Sequence, residues 1–210
     1  ISYLIEHRKK VRAILITHGH EDHTGALPYI LKDLDVPVYA SRLAHGLISA
    51  KLKQHRMLNQ VQLHSIEPGK NLKFGCFQVE FFRVCHSIPD SMGLIINTPL
   101  GMVVHSGDFK IDQTPVDGAP TDLSALAHHC SQGVLLFLSD STYAEMPGYT
   151  PSEQTVGEAL ERLVARAPGR VLVTTFASLI SRVRQVIEAA TKNRRKVALV
   201  GRSMVANVNL

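Results

Sequence analysis

The sequence predicts an α/β fold, and three observations predict it. Short apolar runs of strand length recur along the 210 residues. In the first sixty residues they alternate with helical segments, and between Val61 and Asp112 they alternate with turn residues alone. After Pro147-Gly148 they alternate again with amphipathic helices, the texture of a parallel α/β unit.

The elements follow in order. Tyr3 to Lys10 reads as the end of a helix. Arg12 to Thr17 is an apolar run typical of a buried strand, and HGHEDH follows at its C-terminal end. A helix is expected over Ala26 to Leu34, with Pro28 tolerated in its first turn. Val36 to Ala40 reads as a strand, and Leu43 to Leu58 as a helix carrying basic residues throughout. Phe77 to Val84, Gly93 to Asn97 and Met102 to Ser106 are strands between Pro- and Gly-containing turns. Val134 to Leu138 is wholly apolar and is expected to be a buried strand, ending in Ser139-Asp140-Ser141-Thr142. Thr150-Pro151-Ser152-Glu153 supplies an N-cap, a first-turn proline and a capping-box Glu. Val156, Ala159, Leu160, Leu163 and Val164 then fall on one helix face. Val171 to Thr175 and Val197 to Val200 read as strands around a helix whose apolar face is Leu179, Val183, Val186, Ile187 and Ala190. A domain boundary is expected at residues 147/148, and both ends of the chain read as cuts.

Composition excludes several classes. Hydrophobic residues are 45% and charged residues 20%, a globular balance rather than a disordered one. No apolar run approaches the ~18 residues of a membrane helix, and no signal peptide opens the chain. Three cysteines, Cys76, Cys85 and Cys130, form no CxxC pair and no disulfide framework, so a reducing cytoplasm is expected. The net charge of +5 is unevenly spread. Residues 1–160 carry 13 Lys and Arg against 16 Asp and Glu; residues 161–210 carry 10 against 2. Such a basic segment suits either a solvated helix face or an anionic partner.

The chemistry concentrates in His18, His20, Asp22 and His23. Alternating His18 and His20 aim two imidazoles to one side, while Asp22 and His23 aim at a second point nearby. These are the nitrogen and oxygen donors that zinc accepts. His86 and Asp108 each end a strand-like run, where side chains converge on one rim of a sheet. Alone, a strand-end histidine and a turn aspartate are ordinary structural residues; the first cluster makes them candidate ligands. Asp140, read alone, is a turn or cap residue.

HGHEDH resembles the HxHxDH signature of the metallo-β-lactamase superfamily, and His86 and Asp108 match its later metal motifs. The chain is more closely similar to the ribonuclease J family, in the β-CASP nuclease branch. His86-Ser87-Ile88-Pro89-Asp90-Ser91, His105-Ser106-Gly107-Asp108-Phe109-Lys110, Ser139-Asp140-Ser141-Thr142, Thr174-Thr175-Phe176-Ala177-Ser178 and Gly201-Arg202-Ser203-Met204 carry that likeness. The resemblance implies an αββα sandwich over residues 1–147, lacking its first strands, and the opening of a β-CASP α/β domain over 148–210. It implies two Zn2+ ions, with Mn2+ or Mg2+ able to replace them. His18, His20 and His86 hold one ion, Asp22 and His23 help hold the other, and Asp108 bridges. Asp22, Asp108 and Asp140 form the catalytic set, Asp140 by orienting a general-acid histidine.

The implied activity is endonuclease and 5′-to-3′ exonuclease hydrolysis of RNA by a metal-bound hydroxide. Arg182 and Arg202, at helix starts, are candidate phosphate contacts. A homo-oligomer or a related nuclease subunit is the expected protein partner, with no membrane. The general-acid histidine, the last ligand of the second metal and a phosphate pocket would follow Leu210, so the fragment alone is expected to be silent. His128 and His129 sit in a loop-like stretch and read as structural, as do His7, His45, His55 and His64; His105 reads as a support for a ligand. Thioester or β-lactam hydrolysis uses the same superfamily site, but the basic extension argues against it. A DNA-processing β-CASP nuclease also fits these motifs, and so does a catalytically silent RNA-binding subunit.

Overall fold

The computed structural model describes residues 1–117 and 119–209. A short helix α1 (Ser2–Glu6) and a 3-10 turn lead into strand β1 (Ile14–Leu15). Two single-turn helices follow, α2 (Glu21–Thr24) and α3 (Leu27–Ile30), then β2 (Val38–Ala40), α4 (Arg42–Gln54) and β3 (Leu63–Ser65). β1, β2 and β3 form a parallel sheet in that order. β4 (Asn71–Phe74), β5 (Phe77–Arg83), β6 (Met92–Thr98) and β7 (Gly101–His105) form an antiparallel meander. After α5 (Leu123–Cys130), β8 (Leu136–Leu138) joins the edge of that sheet parallel to β7.

Three apolar layers stack these elements. Ala44, Ile48 and Leu52, four residues apart on α4, pack with Ile16, Val38 and Ala40 of the parallel sheet. Phe81, Met92 and Leu94 fill the space between the two sheets with Leu15 and Tyr39. Phe82, Ile95 and Val104 on the opposite face of the second sheet meet Leu126 and Cys130 of α5. Alternating side chains of β5 thus serve two cores, as the two-residue period requires. The order helix, sheet, sheet, helix is an αββα sandwich.

The expected helix over 26–34 is replaced by α2 and α3, because the helical turn begins earlier, inside the histidine motif at Glu21. Asp122, not anticipated as a cap, accepts the Ala125 N–H at 2.9 Å and starts α5. That helix contains His128 and His129, which are therefore not in a loop, and His129 Nε2 lies 2.9 Å from Glu80 Oε1.

Of the apolar run at 134–138 only Leu136–Leu138 forms a strand, and it is not buried but exposed, with Phe137 53% accessible. It is the edge strand, and α5 stands off from it, leaving an apolar cleft of about 330 Å³ between Leu126, Cys130, Val134 and Phe137. Beyond it come α6 (Glu153–Arg166), α7 (Ile180–Lys192) and α8 (Arg202–Val208). The cap of α6 is Ser152, whose Oγ accepts the Gln154 N–H at 3.2 Å, rather than Thr150. Pro151 thus precedes the helix. The stretches 171–175 and 197–200 carry no strand. A strand is defined by a hydrogen-bonded neighbour, and among the described residues none lies beside them; Leu172 is 89% exposed.

Candidate metal centre

Strand directions gather the chemistry on one rim. β5 and β7 are each antiparallel to β6, so they run the same way, and β8 runs with β7. Their C-terminal ends therefore share an edge, where the chain presents His86, Asp108 and Asp140. The segment after β1 is brought there by the backbone: the Met92 N–H donates to the Thr17 carbonyl at 2.9 Å, bridging the two sheets.

Donor atoms of His18, His20, His86 and Asp108 all lie within 4.8 Å of one another. His20 Nδ1 is 3.1 Å from His18 Nε2 and 3.3 Å from His86 Nε2. Asp108 divides its carboxylate. Oδ2 lies 3.7 Å from His18 Nε2 and 3.8 Å from His86 Nε2, while Oδ1 lies 3.5 Å from His23 Nε2. Asp22, His23 and Asp108 form a second group, with His23 Nε2 3.7 Å from Asp22 Oδ2. Two adjacent donor groups therefore share one carboxylate.

The donor set suits divalent ions. Burial, reinforced by the neighbouring imidazoles of His23, His86 and His20, lowers the His18 pKa to about 2. Burial and His20 bring His86 to about 4, against the opposing pull of Asp108 and Asp140. Burial also lowers His20, with Asp22 and Asp108 opposing. Neutral imidazoles have the free lone pairs that metal coordination needs. They converge on Asp108, the acidic group common to both clusters. Asp108, His18, His20 and His86 could hold a first ion, and Asp22, His23 and Asp108 could supply three ligands to a second.

Neighbouring groups orient these donors. Thr17 Oγ1 lies 3.1 Å from His18 Nδ1 and 3.5 Å from His23 Nδ1, so both rings turn Nε2 to the centre. Ser87 Oγ is 3.5 Å from His20 Nε2. Gly107 makes the turn before Asp108 at φ 62°, and a Cβ there would sit 2.8 Å from the Met92 carbonyl. The Gly107 N–H donates to His105 Nδ1 at 3.0 Å, so His105 braces that turn. Asp140 accepts N–H groups of Thr142 at 2.8 Å and Phe109 at 3.4 Å. Burial opposes its ionisation, but these hydrogen bonds outweigh burial, and its pKa falls below the usual carboxylate value.

The two arginines are placed differently. Arg202 is exposed at the first position of α8. Arg182 is half-buried and engaged, donating to Glu153 Oε2 at 2.7 Å and to Gln185 Oε1 at 2.9 Å. Glu153 and Gln185 are joined near the starts of α6 and α7, and Lys192 reaches Glu161 farther along, so these helices run side by side in the same direction. The exposed Arg166, Arg170, Arg194 and Lys196 gather at their C-terminal ends, about 20 Å along the helices from Arg182. Glu153, read from the sequence as a capping-box residue, is instead the first residue of α6 and turns its carboxylate to Lys110 and Arg182. No role is read from the sequence for Thr17, Ser87, Lys110 or Asp112. Thr17 had a local signal, since a hydroxyl directly before the first motif histidine can reach its ring; the others are joined only through space.

A family model described as "Beta-lactamase superfamily domain" matches residues 2–175. A second, "Ribonuclease J, beta-CASP domain", matches residues 168–210. Proteins named Ribonuclease J are similar to this chain: 49% identical in Thermus thermophilus over 98% of this chain and 37% of theirs, and 50% identical in Synechocystis over 98% and 32%. The Helicobacter pylori protein of that name is 45% identical over 100% of this chain and 30% of its own. The chain spans about a third of the length of these relatives. A solved protein of unknown function from Enterococcus faecalis shares the fold, with a TM-score of 0.61 at 19% identity over 84% of this chain and 44% of that one.

Proposed function

The chain belongs to the beta-lactamase superfamily, and from that premise we propose that it is part of a metal-dependent ribonuclease of the ribonuclease J type, hydrolysing RNA phosphodiesters by both endonuclease and 5′-to-3′ exonuclease action. The observation that carries the reading is the shared carboxylate, Asp108, with one oxygen toward His18 and His86 and the other toward His23. The likeness to relatives named Ribonuclease J supports the substrate class. We take residues 1–147 as the hydrolytic domain and 148–210 as the beginning of the strand-guiding domain.

Two zinc ions fit the donors, and manganese or magnesium could take their place; when bound, such ions polarise a phosphoryl oxygen and lower the pKa of water. The chain's own residues do the rest of the work assigned here. His18, His20 and His86 stay neutral and keep their nitrogen lone pairs available. Asp108 holds the two ligand groups at one spacing. Thr17 prevents His18 and His23 from rotating away. Asp140, held ionised by the Thr142 and Phe109 N–H groups, acts at neutral pH as a hydrogen-bond acceptor and not as an acid. Exposed Arg166, Arg170, Arg194, Lys196 and Arg202 offer phosphate contacts by which a strand is drawn along the surface. Arg182 would have to leave Glu153 to join them. The reading is of a protein acting in the cytoplasm, as a homo-oligomer or beside a related subunit. Among the described residues, no helix is long and apolar enough to cross a membrane.

The test uses the intact protein, stripped of metal by chelation and supplied with zinc, manganese or magnesium, on end-labelled RNA and on DNA of the same sequence. RNA cleavage is expected to disappear on stripping, return with metal, and be lost in His20→Ala. RNA cleavage indifferent to both metal and His20 would overturn the centre. Cleavage of DNA alone would overturn the substrate.

A further inference from the structure

The loop that carries Asp108 is fastened at its far side by a network of charged groups. The Lys110 N–H donates to the Cys85 carbonyl at 2.8 Å, next to His86. Lys110 Nζ lies 3.3 Å from Asp112 Oδ2 and 3.2 Å from Glu153 Oε1. The second Glu153 oxygen takes Arg182 Nη2 at 2.7 Å. Asp112, buried, accepts the Glu153 N–H at 2.9 Å and the Thr114 N–H at 3.0 Å, so a carboxylate from the same loop as Asp108 takes the first N–H of α6. Gln185 closes the ring by donating to the Glu153 carbonyl at 2.6 Å. Two cations and two carboxylates balance, and each is at least three-quarters shielded from water. Shielded charges of this kind are held firmly only while every partner is present.

We propose that Glu153 is a positioning residue for the metal centre: through Lys110 it clamps the loop after Asp108 to the starts of α6 and α7, and so holds the shared carboxylate in place. The inference rests on the metal-centre reading. It also ties the helical segment to the centre by a route other than RNA contact.

The sign of two effects separates positioning from simple electrostatics. Removing the negative charge of Glu153 and removing the positive charge of Lys110 change the local field in opposite directions. A field effect alone would weaken cation binding in Glu153→Gln and tighten it in Lys110→Met. A clamp is lost in both, so both bind more weakly. The experiment titrates cobalt(II) into the intact, metal-free protein and follows its visible absorption, with Asp108→Asn and Glu161→Gln beside it.

Glu153→Gln and Lys110→Met are each expected to lower cobalt affinity about tenfold, the scale for groups that support a ligand without touching the metal. Their band intensities should change together. The double variant should lose no more than the weaker-binding single, since one link is broken once. Glu161→Gln, whose partner is the exposed Lys192, should match wild type. Tighter cobalt binding in Lys110→Met, or both variants behaving as wild type while Asp108→Asn fails, would overturn the clamp and leave the centre standing. Absence of cobalt binding by wild type would overturn the centre and the clamp with it. If Glu153→Gln does not fold, Lys110→Met decides by the same sign.

Discussion

Val103-Val104 in β7 and Val171-Leu172-Val173 before α7 are nearly the same sequence in type, yet they have opposite fates. Val104 is 1% exposed between β6 and β8, over α5. Leu172 is in water. The first run has strand neighbours on both sides and a helix above it; the second has none among the described residues. An apolar run is an instruction to find a partner, and only the partner converts it into a core. The same contrast separates the two regions at large. The body around the histidine and aspartate cluster is held by three apolar layers, whereas the start of α6 is tied to it by polar groups: Glu153 to Lys110 and Asp112, and Ser152 to Thr114.

The largest expected effect lies at the centre itself. On the proposed reading, Asp108→Ala removes the carboxylate common to both donor groups and should abolish bound metal and reduce RNA cleavage well over a hundredfold, more than the about 10–100-fold lost with a supporting group. Elemental analysis beside a cleavage assay reads both. Next comes the body's core. Phe81→Ala should destabilise by about 3–5 kcal/mol, measured by denaturant unfolding.

The polar junction should announce itself through pH. Burial opposes ionisation of Asp112 and Glu153, but the backbone N–H groups and Ser152 around Asp112, and Arg182 and Lys110 around Glu153, outweigh it, so both pKa values lie below their ordinary 3.8 and 4.5. Groups lowered on folding contribute stability that is complete above their unfolded values and is lost as pH falls through the folded ones. Thermal unfolding should therefore show acid sensitivity beginning near pH 4.5 that is smaller in Glu153→Gln. An unchanged acid limb in that variant would remove the junction from the account.

Asp122→Ala removes the cap of α5 and should cost about 1 kcal/mol in denaturant unfolding. Leu172→Ala should change stability by no more than about 0.5 kcal/mol, as an exposed substitution does. A large loss there would mean that this run is covered, and the contrast with Val104 would collapse.

Much of the fold was legible because its signals are local. The turn residues between β5 and β7, the helical spacing of Val156, Ala159, Leu160 and Val164, and the density of donors from His18 to His23 can be read without knowing any neighbour. Errors came where a neighbour decided the outcome. Ser152 displaced Thr150 as the cap because its hydroxyl meets the Gln154 N–H. Val134 to Leu138 lies exposed because it is at the sheet edge: α5 stands off from Val134 and Phe137, and Leu136 and Leu138 remain 49% and 46% accessible. Arg182 reads from its place near a helix start as a candidate phosphate contact, but Glu153 and Gln185 engage it.

The sequence by itself determined the identities of the donors, their order along the chain and the existence of the long helices, since these follow from residue chemistry and from the helical period; the faces were read only in part, for Val164 and Val183 are buried but Leu163 is 66% exposed. Only the tertiary structure decided which way Asp108 turns each of its oxygens, which histidine nitrogen faces the centre, and that Glu153 answers to Lys110 across 43 residues. Those are distances between groups remote in sequence, and they exist only once parallel β5 and β7, with β6 between them, bring their ends to one rim.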